Sequence, residues 1–100
     1  DMGIFIVRND INNKCHIQET PDLRGVMNGA QVRLQGGFHP YRELQKEWKE
    51  LGSQHFVIEI LEKLEYDKDE SKTDYTEDLE LLRMIWEEKL RNEKMEFYKK

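Results

Sequence analysis

An apolar run rich in β-branched residues, IFIVR at 4–8, is followed by the turn-forming NDINN and then by KCHIQE at 14–19. The first run is too short for a helix and suits a strand covered on both faces. Asn and Asp tolerate left-handed backbone and bond their own main chain, so NDINN predicts a tight return. These segments together dictate a β-hairpin. With its loop centred near residues 10 and 11, Phe5 is expected opposite His16 and Val7 opposite Lys14. Phe5 and His16 then share one side of the sheet, while Ile4, Ile6 and Ile17 share the other. Cys15 alternates with His16 and is expected to point away from it.

The hairpin cannot bury itself, and the rest of the chain supplies its cover. Thr20-Pro21 predicts a helix start, a hydroxyl cap followed by proline at the first helical position. Leu23, Val26, Met27, Ala30 and Leu34 follow at helical spacing, and Gly36-Gly37 ends that helix. Pro40 opens a second helix, in which Tyr41, Leu44, Trp48 and Leu51 form one apolar stripe and Gly52 is the stop. Residues 55–61, HFVIEIL, alternate as a third strand, and 65–74, EYDKDESKTD, read as a charged loop. Asp74 with Glu77 suits a capping pair before a long helix carrying Tyr75, Leu79, Leu82, Trp86 and Leu90. Met95, Phe97 and Tyr98 predict that the tail docks. The order is β-β-α-α-β-α: an α+β fold with a three-stranded antiparallel sheet flanked by helices, one domain over residues 1–100, with a core of 3–90 and a tail of 91–100.

Composition narrows the function classes. Residues 1–60 hold seven Lys/Arg and eight Asp/Glu, whereas residues 61–100 hold nine and thirteen, for a net charge of −5. A protein that neutralises many phosphates shows a basic face. This sequence shows none, which disfavours strong non-specific nucleic-acid binding and leaves room only for a local patch. The single cysteine, Cys15, excludes an internal disulfide and fits a reducing compartment, so a cytoplasmic location is expected. No apolar run is long enough for a membrane span, and no signal peptide is visible.

GIF at 3–5, followed after ten residues by HIQ at 16–18, resembles the paired signatures of the GIY-YIG nuclease superfamily. The resemblance continues through GGFH at 36–39, ELQKEWKELGSQHFVIEIL at 43–61 and a last helix bearing Trp86. It implies the sheet and helices already read from the patterns. It also implies hydrolysis of a DNA phosphodiester with one divalent metal, Mg or Mn. In such chemistry a nucleophile loses a proton, charge developing on the phosphate is stabilised, and a hard cation takes oxygen ligands.

Transferred position by position, the resemblance departs at the reactive groups. The first signature tyrosine corresponds to Phe5, which has no hydroxyl. The second corresponds to His16, which can still act as a base. The helix arginine falls on Val26 and the histidine that follows it on Ala30. The next histidine is matched by His39. The metal-binding glutamate of the last helix falls on Arg83. Arg24, two positions before Val26, is turned away by about 200°. Arg33 is two turns beyond Val26 and reaches the site from its rim. Glu80 and Glu87 lie one turn either side of Arg83 and are the substitutes for a metal ligand. Arg83 would repel a cation there, and a guanidinium in that place can imitate the metal by binding phosphate or pairing with a carboxylate.

These substitutions favour a nuclease-like domain that has lost cleavage, needs no cofactor and serves recognition or regulation, with DNA, another protein or a second copy as partner and no membrane. The alternatives are a metal-dependent endonuclease rebuilt on His16, His39 and Glu80 or Glu87, and a protein-interaction module using the Gly25/Gly29 face or the 95–98 tail.

Overall fold

The computed structural model describes residues 1–100. Strands β1 (Met2–Asn9) and β2 (Lys14–Thr20) form the expected hairpin, and helices α1 (Leu23–Gly36) and α2 (Arg42–Leu51) follow. Strand β3 (Phe56–Leu64) then pairs antiparallel with β1, and helix α3 (Thr76–Asn92) leads to a two-residue strand, β4 (Glu96–Phe97). The sheet order is β3-β1-β2-β4, with β4 parallel to β2. The expected α+β fold is present. Its sheet has four strands rather than three, because the tail adds β4 beside Lys14 and Cys15.

The hairpin register is shifted by two from the expected one: Val7 lies opposite His16 and Phe5 opposite Gln18. Asn13 takes a left-handed conformation (φ 62°), and the side chains of Asn9 and Asn12 accept the amides of Ile11 and Lys14. The loop is therefore longer than a minimal return. A slip of two preserves side-chain parity, so Phe5 and His16 still face one side and Cys15 and Ile17 the other.

Each face has its own core. Phe5 and Val7 pack with Leu23, Leu34, Leu44 and Trp48 beneath α1 and α2. Ile4, Ile6, Cys15 and Ile17 pack with Leu90 and, less deeply, Leu82 and Trp86 of α3. Gly3 lets β3 come close, since a Cβ there would collide with the backbone of Glu62 and Lys63. Beside it the β1–β3 register slips between Ile4 and Phe5. The resulting bulge turns both Leu61 and Glu62 toward α3, where Glu62 accepts the Trp86 indole N–H at 2.9 Å.

The helix starts differ in detail from expectation. Asp22, not Thr20, caps α1 by accepting the Gly25 amide at 3.1 Å, and Thr20 accepts the amide of Asp22. Pro21 thus lies outside the helix. Helix α2 begins two residues after Pro40, and α1 ends on left-handed Gly37 (φ 85°). Asp74 bonds the amide and hydroxyl of Thr76 rather than pairing with Glu77. No helix is long and apolar enough to cross a membrane.

Candidate functional site

Strand β4 covers only the start of β2, so from His16 onward the outer edge of β2 lies open. A cleft runs over that edge in two lobes. One, about 260 Å³, lies between β2, α1 and the α1–α2 connection and includes His16, Val26, Ala30, Arg33, His39 and Tyr41. The other, about 240 Å³, is bounded by Glu87, Phe97 and Tyr98, and His16, Ile17, Tyr41 and Arg83 belong to both. The cleft thus joins side chains from opposite faces of the sheet.

His39 is positioned by a chain of hydrogen bonds that begins in α2. Gln45 accepts the His39 amide at 2.8 Å and donates to the Leu34 carbonyl at 3.0 Å, which clamps the end of α1 to the start of α2. His39 Nδ1 then accepts the Tyr41 amide at 3.1 Å. An imidazole that accepts at Nδ1 carries its neutral-form proton on Nε2. His39 therefore faces the cleft as a hydrogen-bond donor.

His16 projects from β2 into the same space, 7 % exposed. The Tyr41 ring lies 4.2 Å from it centre to centre, and the His39 ring 5.7 Å away and nearly perpendicular. Burial, with His39 as a second cause, pushes His16 down to about 4, against an opposing contribution from Gln18. Burial and then the Arg33 guanidinium lower His39 as well. Both rings are neutral at neutral pH. His16 keeps the chemistry of a weak base, but a strong general base would need a pKa near the working pH.

Arg83 reaches the cleft from α3. Its Nη1 lies 2.8 Å from Glu19 of β2, and its Nε lies 3.2 Å from Glu87. The Nε contact is an ion pair without hydrogen-bond alignment. Glu87 also meets Arg91 at 3.5 Å. Arg83 is thus held between two carboxylates at the cleft wall, one of which Arg91 also meets from outside the cleft.

Of the residues singled out by sequence, the cleft brings together His16, Val26, Ala30, Arg33, His39, Arg83 and Glu87. Phe5 lines neither lobe and is 0 % exposed within the core. Glu80 is exposed and lines neither lobe. Arg24 lies at a separate hollow beside Asp1 and Lys63, turned away as expected. Two contributors were not anticipated. Tyr41 is expected in the apolar stripe of the second helix, although its place two residues after His39 is a signal. Glu19 gave no local signal, since its partner lies on the last helix.

A divalent metal does not fit this donor set. The Arg83 guanidinium sits between Glu19 and Glu87, where it would repel a cation, and no group of three or more His, Cys, Asp or Glu side chains is placed to hold an ion.

No protein-family model matches the sequence, and no curated protein does. Solved structures do. The catalytic domain of the homing endonuclease I-TevI is 22% identical, with a TM-score of 0.73 over 100% of both chains. A mutant of the catalytic domain of intron endonuclease I-TevI is 23% identical, with a TM-score of 0.69 over 98% of this chain and 91% of that one. At such identities the likeness establishes architecture alone, and the architecture of this chain is the GIY-YIG endonuclease-like fold.

Proposed function

We propose that this chain is a nuclease-fold domain that recognises nucleic acid locally and does not cleave it. The supporting observation is the engagement of Arg83 by Glu19 and Glu87 at the position where the resemblance calls for a metal-binding glutamate. Phe5 adds to it, because the place of a reactive phenol is taken by a buried benzyl ring. Arg33 makes no ion pair within the chain and lies at the cleft mouth beside His39, which leaves one guanidinium for an external phosphate. The net charge of −5 limits this to a small footprint.

A plasmid-nicking assay with Mg or Mn tests the loss of cleavage, and a mobility-shift assay across salt concentrations tests recognition. No nicking is expected, with binding that weakens as salt rises. Metal-dependent nicking that disappears in His16→Ala overturns the proposal in favour of a rebuilt endonuclease.

A second reading, a protein-interaction module, draws on a different surface. Leu81, Met84 and Ile85 are 59 %, 58 % and 44 % exposed along one side of α3. The surfaces expected from sequence serve less well: Met95, Phe97 and Tyr98 pack against their own chain, and Gly29 faces open space. Light scattering with Met84→Glu as control distinguishes self-association from a monomer.

A further inference from the structure

The cleft offers one place for a phosphate. Arg33 has no ion-pair partner in the chain. His39 is 7 % exposed, and its Nε2, left as donor by the Tyr41 amide on Nδ1, has no partner in the chain and meets the cleft. The Tyr41 hydroxyl is likewise unpaired within the chain. A guanidinium with an adjacent N–H donor makes a charge-assisted fork for one anionic group.

Along the rest of the cleft the charges are paired. Glu19 and Glu87 flank Arg83 and consume its charge, and Phe97 and Tyr98 wall the second lobe. A polynucleotide threaded through the cleft would carry its next phosphates past those carboxylates. The space next to the fork is largely apolar and aromatic, with Val26 and Ala30 on α1 and the rings of His16 and Tyr41 tilted at 47° to each other, and its one carboxylate, Glu19, is engaged by Arg83. Such surfaces accept a sugar and a base, since every base has a π-face.

From these contacts we infer that the cleft binds a single nucleoside monophosphate group, with the phosphate on Arg33 and His39 and the nucleoside against Tyr41 and Val26. The inference rests on the recognition reading above and narrows it to a terminal phosphomonoester. The same group occurs in a free mononucleotide and at the phosphorylated 5′ end of a strand.

Isothermal titration calorimetry on the full chain tests this with AMP, adenosine, and one short single-stranded DNA carrying either a 5′-phosphate or a 5′-hydroxyl. AMP or the 5′-phosphorylated strand is expected to bind at least about tenfold tighter than its unphosphorylated counterpart, the value of one charge-assisted contact. Arg33→Ala, on an exposed helix position, is expected to abolish that preference, with Arg33→Lys restoring part of it. Tighter binding of AMP than of the phosphorylated strand identifies a free nucleotide as the ligand; the reverse identifies a strand end. Equal affinity with and without the phosphate, no binding of either phosphorylated probe to the folded chain, or a preference unchanged in Arg33→Ala overturns the inference. Duplex binding without an end-phosphate preference sinks this inference alone. AMP binding without any DNA binding sinks the recognition of nucleic acid alone.

Discussion

Phe5→Tyr returns a hydroxyl to the position where the resemblance expects one, and the structure sets its consequence. Phe5 is 0 % exposed and packs with Val7, Leu44 and Trp48 in the core beneath α1 and α2, lining neither lobe of the cleft. A phenol oxygen there is added to close-packed apolar surroundings. Burying a hydroxyl without a partner costs roughly 1–3 kcal/mol, and the extra atom also strains the packing. For a domain of this size each kcal/mol moves the melting midpoint by about 4–8 °C, so a fall of roughly 5–20 °C is expected. Differential scanning calorimetry reads that shift. Plasmid nicking, run well below the lowered midpoint with Mg or Mn, is expected to stay at background. An unchanged or raised midpoint would refute the packing argument, since it would mean that the hydroxyl finds a partner or reaches the cleft. Nicking by Phe5→Tyr would refute the larger claim, because one oxygen would have sufficed to restore the reaction.

Three further outcomes follow from the geometry. His16 is held neutral with its pKa lowered to about 4 against an ordinary 6.5, so acid favours the unfolded chain: stability is full above 6.5 and falls as pH drops toward 4, by an order of ~2 kcal/mol between pH 7 and pH 5. Urea melts at the two pH values, repeated with His16→Gln, check this by the loss of that dependence. Tyr98→Phe removes the hydroxyl that donates to Glu47 at 2.6 Å and accepts from Asn9 at 3.1 Å, and a loss of roughly 1–3 kcal/mol is expected. Faster hydrogen exchange at the Tyr98 amide, bonded to the Cys15 carbonyl at 2.8 Å, would report β4 loosening, and an unchanged rate would refute its anchoring by Glu47. Arg83→Ala leaves Glu19 unpaired and Glu87 with Arg91 alone; a loss of about 1 kcal/mol, deeper at low salt, is expected in chemical denaturation, and a salt-independent effect would contradict the ion-pair account.

Glu47 adds to the acid sensitivity. Burial raises its carboxyl, but hydrogen bonds from Tyr98, Asn12 and Asn9, together with Lys14, outweigh that and lower it. Its stabilising contribution is therefore present at neutral pH and lost as pH falls through its lowered pKa. This residue joins the tail, the hairpin turn and α2, three segments with no local relation in the sequence.

What was legible in the sequence were features that depend on near neighbours. The alternation around Ile4–Val7 and the spacing of Leu44, Trp48 and Leu51 specify elements, because burial of one face imposes a period. The parity of Phe5 and His16 was readable for the same reason. The register itself was not, since it turned on the left-handed backbone of Asn13, which a turn-rich string does not locate to the residue. Strand β4 was invisible because two residues carry no period, and its pairing depends on β2 presenting an open edge. The site was readable only as positions. That His39 is a donor followed from Gln45 and Tyr41 pinning it, and that Arg83 is engaged followed from Glu19 across the sheet. Such partners are fixed by tertiary contact, and no window along the chain contains them.

The departures at Phe5, Val26 and Ala30 explain each other energetically. Phe5 and Ala30 belong to the core under α1 and α2, and Val26 packs against it. An arginine or an imidazole on that face of α1 would lose hydration that only a substrate or an ordered network could replace. Apolar side chains remove that cost and add buried surface, each methylene contributing about 0.8 kcal/mol. Functional sites hold groups in arrangements the fold alone would not choose. Core-like residues in such places favour stability over reactivity, and packing alone then holds the backbone. Two polar groups stand beside these apolar ones in the cleft. His39 is clamped through Gln45, and Arg33 stands without an ion-pair partner in a cleft whose other guanidinium, Arg83, is held by Glu19 and Glu87. A binding role needs no more than these, because recognition of one phosphate requires a donor and a cation held in place but no proton transfer and no metal.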